Sequence, residues 1–225
     1  MFLGSFVTGP WQANCYVVGK NPGECVVIDP GVYAFDTLAE SLPAQGLTPK
    51  AVIATHGHID HIADAAKLAD RYQVALWIHP ADRHLLTDPA SGLGADSIAL
   101  LQQVLPGPFT EPAAVELYED GDVVSAAGLD FSITHAPGHT EGSSLLTIDY
   151  EGEGPSHVVF TGDVLFAGSI GRTDMPGGSK EQMDATLRGP VWQLPDTSAI
   201  LPGHGPQSVM AAERASNPFL RGLAR

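Results

Sequence analysis

Thr55-His56-Gly57-His58-Ile59-Asp60-His61 places four potential metal ligands within six residues, directly after the apolar run Ala51-Val52-Ile53-Ala54. His56 and His58 are two apart, so in an extended loop both imidazoles leave the backbone on the same side. Asp60 and His61 fall where a helical pattern begins, which lets them turn toward a second ion beside the first. Asp is a common helix N-cap and histidines gather in turns. Capping and chance account for one or two such residues, not for three His and an Asp at this spacing.

Three later turns repeat the theme. Pro137-Gly138-His139-Thr140 follows a strand-like segment at 129–134, Thr161-Gly162-Asp163 follows one at 158–160, and Pro202-Gly203-His204-Gly205 follows one at 198–201. Each is a short apolar strand that stops at a glycine-containing turn carrying a metal-binding side chain. Sheets position loops in this way in α/β enzymes, and glycine frees the turn backbone. The set is five His (His56, His58, His61, His139, His204) and two Asp (Asp60, Asp163). Imidazole and carboxylate suit zinc, and also iron or manganese; the lack of thiolate argues against a structural zinc site. Seven ligands are too many for one tetrahedral ion. They divide into two divalent sites: His56, His58 and His139 on the first, Asp60, His61 and His204 on the second, and Asp163 between them.

The order HxHxDH, then His, Asp and His, resembles the metallo-β-lactamase superfamily along nearly the whole chain. The run Leu165-Phe166-Ala167-Gly168-Ser169-Ile170-Gly171-Arg172-Thr173-Asp174 is similar to that of the short glyoxalase II-like hydrolases. The resemblance implies the same division of ligands and an α+β chain folded as an αββα four-layer sandwich, the metallo-β-lactamase fold. Periodicity by itself gives only mixed α and β. Strands are expected at 2–7, 14–19, 24–29, 51–55, 74–78, 122–126, 129–134, 143–149, 157–161 and 198–201. Helices are expected at 35–45, continuously over 59–71 on the spacing of Ile62, Ala65, Ala66 and Ala69, from Pro80, at 97–105 until Pro106 breaks it, at 180–187 and at 209–215. The stretch 89–112 reads equally as a pocket wall or as a surface excursion.

With 225 residues, 44% of them hydrophobic, positions 1–225 suffice for one domain with a sizeable core. A net charge of −15 opposes broad contact with nucleic acid, which needs Lys and Arg on phosphates. The start Met1-Phe2-Leu3-Gly4-Ser5-Phe6 lacks the basic and long apolar regions of an export signal, and no run of about 18 apolar residues offers a membrane span. Cys15 and Cys25 are the only cysteines, each in an apolar strand-like run. Buried free thiols and a cytoplasmic location are therefore expected. The sequence leaves the oligomeric state open.

Two divalent ions sharing a water lower its pKa toward neutrality. Asp163 is expected to hold them together, and Asp60 to orient the nucleophile through its second oxygen. An amide nitrogen needs a proton to leave, whereas a thiol with pKa near ~8.5 leaves as thiolate unaided. No acid outside the ligand set is evident, which favours a thioester. The glyoxalase II resemblance implies the same reaction: an S-acyl-thiol such as S-lactoylglutathione plus water gives a hydroxy acid and a thiol. Classical glyoxalase II enzymes bind glutathione with a C-terminal helical domain, and too few residues follow His204 for one. The thiol half must then be held differently. The alternative is a persulfide dioxygenase with a single iron held by His58 or His56, His139 and Asp163. Ser169 stands where those dioxygenases often carry Cys, which favours the hydrolase.

Arg172 and Asp174 suit either a substrate carboxylate or a local ion pair. His79 is placed either in the pocket or in a structural role, and His84, His135 and His157 in structural or surface roles. Trp11, Tyr16, Tyr33 and Phe166 suit either a pocket lining or apolar packing.

Overall fold

The strand β2 (Ala13–Gly19) is buried along its whole length, with Cys15 and Val17 packed on one side and Tyr16 and Val18 on the other. Because successive side chains alternate, a strand covered on both faces must lie inside a layered structure. The split recurs in β3 (Glu24–Ile28), where Cys25 and Val27 oppose Val26 and Ile28, and in β4 (Thr48–Ile53), where Val52 opposes Ala51 and Ile53.

The computed structural model describes residues 1–105, 107–152 and 154–223. With β1 (Phe2–Thr8), β5 (Leu76–Ile78) and β6 (Val115–Leu117), these strands form a six-stranded sheet in chain order, antiparallel from β1 to β3 and parallel from β3 to β6. The second half begins with β7 (Val123–Ala126), β8 (Leu129–His135), β9 (Ser144–Asp149) and β10 (His157–Gly162). A small hairpin follows, β11 (Leu165–Phe166) with β12 (Ser169–Ile170), and then β13 (Ala199–Pro202) and β14 (Ser208–Val209). The second sheet runs β14-β13-β10-β9-β8-β7, antiparallel except for the parallel pair β10–β13.

Three apolar layers result. Between the sheets lie Tyr16, Ile28, Ile53, Phe131, Leu146 and Phe160. Outside the first sheet run α1 (Ala34–Ala44), α2 (Ile59–Ile62), α3 (Ala65–Tyr72) and α4 (Ala95–Val104), which bury Leu38, Ile62, Leu68 and Leu101 against it. Outside the second run α5 (Lys180–Thr186), α6 (Met210–Ser216) and α7 (Pro218–Arg221), placing Met183, Met210 and Leu220 on Leu145, Val159 and Ile200. This is the expected αββα sandwich. No helix among the described residues is long and apolar enough to cross a membrane. Cys15 and Cys25 are buried free thiols; burial pushes both up, Cys25 to about 12.

Several element boundaries differ from the sequence reading. The helix expected over 59–71 is two pieces, because the Asp64 N–H bonds to the Pro30 carbonyl (3.0 Å) instead of continuing the ladder, while the Asp64 carboxylate accepts the Phe35 N–H (2.9 Å). The strand β4 starts at Thr48 and passes through Pro49, because the pairing with β3 slips one residue there and a bulge tolerates proline. The helix at 180–187 passes into a π-type turn, Leu187–Val191, where Pro190 has no N–H to offer. The segment from Pro80 is a 3₁₀ helix, Pro80–Leu86; α7 was not expected, and Pro106 lies outside the described residues.

Phe160 is fully buried between the sheets, edge-on to Tyr16 at 5.2 Å between ring centroids. Phe160→Ala is expected to cost about 3–5 kcal/mol of unfolding free energy, measured by denaturant titration.

Candidate metal centre

Both sheets contribute to one cluster. The turn after β4 supplies His56 and His58, and α2 supplies Asp60 and His61; the turns after β8, β10 and β13 supply His139, Asp163 and His204. His56, His58 and His139 converge as one buried triad, and Asp60, His61 and His204 as another. Asp163 lies between them, with Oδ1 3.4 Å from His61 Nε2, and Oδ2 3.4 Å from His139 Nε2 and 3.5 Å from His204 Nε2. All seven residues singled out in the sequence are thus brought together, and Asp29 with His56 and His61 forms a third candidate group that links the two triads.

The donor atoms are arranged so that they could hold metal ions. His58 Nδ1 lies 2.8 Å from His139 Nε2, and His61 Nε2 lies 3.2 Å from His204 Nε2. Yet His139 Nδ1–H donates to the Arg172 carbonyl (2.8 Å) and His204 Nδ1–H to the Gln12 carbonyl (3.2 Å). A neutral imidazole carries one N–H, so those Nε2 atoms present lone pairs to the cluster. His56 Nε2 and Asp163 Oδ1 are buried without any hydrogen-bond partner. Lone pairs and carboxylates facing one another at these distances suit divalent ions. Burial, reinforced by neighbouring imidazoles, holds His56 well below its ordinary value and His58 down at about 3, so both are neutral ligands. Burial also opposes charge on His61, but the Asp60, Asp163 and Asp29 carboxylates outweigh it and lift it to about 10.

Residues missed in the sequence hold this arrangement. Asp29, buried at the end of β3, accepts the Thr55 N–H and hydroxyl (both 2.7 Å) and His61 Nδ1–H (3.1 Å), while Thr55 Oγ1 meets His56 Nδ1 at 3.1 Å. One carboxylate therefore orients a ligand of each triad. Asp29-Pro30-Gly31 has the same strand-then-turn pattern as the ligand turns, and that was the available signal. Asp82 accepts the Gly57 N–H and Gly142 N–H (both 2.8 Å) and the Thr140 hydroxyl (2.7 Å), tying the first ligand turn to that of His139; no local pattern marks it. Asn14 and the Tyr16 hydroxyl both donate to the Pro202 carbonyl and fix the His204 turn, so Tyr16 is a core and turn residue. Gly203 has a steric reason: a Cβ there would stand 2.2 Å from Asp163 Oδ1.

The cluster floors a cavity of about 330 Å³. Trp11, Ile59, Leu93, Phe166 and Met175 form its apolar wall, with Ser97 and Arg172 as further polar groups. Leu93 and Ser97 make part of 89–112 a pocket wall. Arg172 and Asp174 form the local ion pair, two contacts of 2.7 and 2.8 Å, so Asp174 grips the arginine instead of facing a ligand alone. His79 takes the structural alternative, stacked on His135 with ring centroids 4.2 Å apart. His84 is exposed and bonded to the Ala81 carbonyl, His157 pairs with Asp149, and Tyr33 is exposed.

The metallo-β-lactamase superfamily profile matches residues 8–204. The chain belongs to that superfamily, whose members are generally metal-dependent hydrolases built around divalent ions. It is 43% identical to an uncharacterized protein of Mycobacterium tuberculosis, each chain covered over 100% of its length. It is 33% identical to the hydroxyacylglutathione hydrolase GloC of Haemophilus influenzae over 93% of both chains. Among solved structures it is similar to the BLEG-1 B3 metallo-β-lactamase, with TM-score 0.81, 33% identity and coverage of 97% of this chain and 99% of that one.

Asp29→Asn keeps the shape but presents an amide donor to Thr55 Oγ1 and His61 Nδ1, which moves the His61 proton onto the ligating nitrogen. Metal affinity is expected to fall by about 10–100-fold, measured by competition with a chelator. His84→Ala should leave metal content unchanged and shift stability by no more than about 0.5 kcal/mol, read by metal analysis and thermal unfolding.

Proposed function

We propose that the chain is a dinuclear metal-dependent thioester hydrolase of the glyoxalase II type. The observation that carries this reading is the pair of triads with Asp163 between them, its Oδ2 near His139 of one and His204 of the other and its Oδ1 near His61. When bound, two divalent ions supply a water of lowered pKa and a Lewis acid for the carbonyl. His56, His58 and His139 would hold one ion, Asp60, His61 and His204 the other, and Asp163 both; zinc suits this donor set, as do iron and manganese.

The chain's own groups set the rest. Asp60 Oδ2 turns to His204 (3.2 Å), which leaves its second oxygen to accept a hydrogen bond from the attacking water and aim it. The apolar wall of Trp11, Ile59, Leu93, Phe166 and Met175 seats the substrate and thins the water around the reacting carbonyl. Among the described lining residues, the titratable group outside the ligand set is Arg172, which has no proton to give at neutral pH. A leaving group that needs no acid fits this lining, and a thiolate is one. The 33% identity to GloC supports the same chemistry. We assign the substrate to small-molecule thioesters, not nucleic acid, given the net charge of −15, and the workplace to the cytosol, given two buried free thiols.

Metal analysis run with parallel assays of thioester hydrolysis and of oxygen uptake with a persulfide tests the reading. Two metals per chain with thiol release is the expected result; one iron with oxygen uptake overturns it. Asp163→Ala should lower activity by at least about a hundredfold and reduce occupancy of both triads, because the shared ligand is lost. Full activity with two metals in that variant would refute the bridging role.

A further inference from the structure

The β11–β12 hairpin carries Phe166 into the cavity, where its ring stands edge-on to His204 at 6.1 Å between centroids. Two residue pairs, Leu165 with Ile170 and Phe166 with Ser169, are all that join its strands. A hairpin this small has no stability of its own. Buried Leu165, whose carbonyl accepts the Thr161 hydroxyl (2.8 Å), roots one strand, and two polar side chains at the C-terminal helices hold the turn. Glu213 of α6 accepts the N–H of Gly168 (2.8 Å) at the hairpin turn, where φ is +74°. Asn217, the residue before α7, donates from Nδ2 to the carbonyls of Phe166 (3.3 Å) and Ser169 (3.0 Å) and to the Glu213 carboxylate (2.9 Å). The Ser208 hydroxyl donates to the other Glu213 oxygen. Glu213 is 3% exposed and Asn217 0%.

Burying a carboxylate and an amide is costly unless their hydrogen bonds are made. Here they are made largely to hairpin backbone and to each other. The Phe166 carbonyl is gripped directly, so the direction in which its ring leaves the backbone is fixed as well. We infer that Glu213 and Asn217 are positioning residues, which hold Phe166 against the substrate cavity by clamping the hairpin from the C-terminal helices. The inference deepens the thioester reading, because the wall so held is the one that seats an apolar part of the substrate beside the ligand cluster.

The test uses the metal-loaded full chain and mercaptohexanol as the probe, a small thiol with an apolar stem, its binding followed by calorimetry and metal content by elemental analysis. Phe166→Ala and Glu213→Ala are each expected to weaken binding about tenfold, with metal content unchanged. The double variant should be no weaker than either single one, since both changes remove the same wall. Glu213→Gln keeps an acceptor for Gly168 and should bind nearly as the native chain does. Should Glu213→Ala fail to fold, Asn217→Ser replaces it with the same expected loss: a hydroxyl still caps the Phe219 N–H, and the donors to the hairpin are gone.

The inference is overturned if the Glu213 or Asn217 variants lose stability but keep probe affinity, if losses multiply in the double variant, if metal content falls with them, or if the native chain does not bind the probe. Thioester hydrolysis is assayed separately. A native chain that binds mercaptohexanol but hydrolyses no thioester would sink the functional reading and leave the clamp standing.

Discussion

The crowding of buried polar groups at one point is the constraint to which the rest of the molecule answers. Imidazole nitrogens at 2.8 and 3.2 Å, with carboxylate oxygens at 3.2–3.5 Å, are costly to bury together without a scaffold that fixes them. The scaffold is provided by strands buried on both faces and by partners for the far nitrogens of four rings: Thr55 for His56, Asp29 for His61, and the Arg172 and Gln12 carbonyls for His139 and His204. Asp29 has the widest reach. It sits with φ +51°, an uncommon backbone for aspartate, and fixes Thr55 and His61 together. Such local strain is tolerated where surrounding contacts over-determine the position.

The cavity above the cluster follows a different rule. Its wall comes from the segment after β1 (Trp11), from α2 (Ile59), from the 89–112 stretch (Leu93) and from the run after β10 (Phe166, Met175). Ile59 and Leu93 belong to the apolar layer on the first sheet and Met175 packs against it, whereas Phe166 is held by its own anchor. The candidate metal ligands thus sit at or just beyond strand ends, and part of the cavity wall sits on a separately tethered hairpin.

The gathering of the seven candidate ligands was legible because each lies at or shortly after the end of a short apolar strand, a pattern that survives without any knowledge of the pairing. The layer order was legible through the resemblance those residues carry. Asp29 and Asp82 were not, because their partners are backbone amides and hydroxyls distant in sequence, and such partners leave no spacing to read. The break at Ala63-Asp64 was hidden for a similar reason: the apolar spacing of 59–71 is intact, and a hydrogen bond to Pro30 ends the first piece. Arg172 and Asp174 had two readings, and the ion pair emerges once the turn brings both guanidinium contacts onto one carboxylate.

Each triad draws two members from the first sheet and one from the second, His139 in one case and His204 in the other. An ion in either triad is therefore a rivet through the seam between the halves of the sandwich. Any free energy of binding is also free energy that keeps the halves closed, growing with the logarithm of free ion over dissociation constant. Scarcity of metal would thus be felt first as a loosening of the sandwich along that seam, before any single strand came apart.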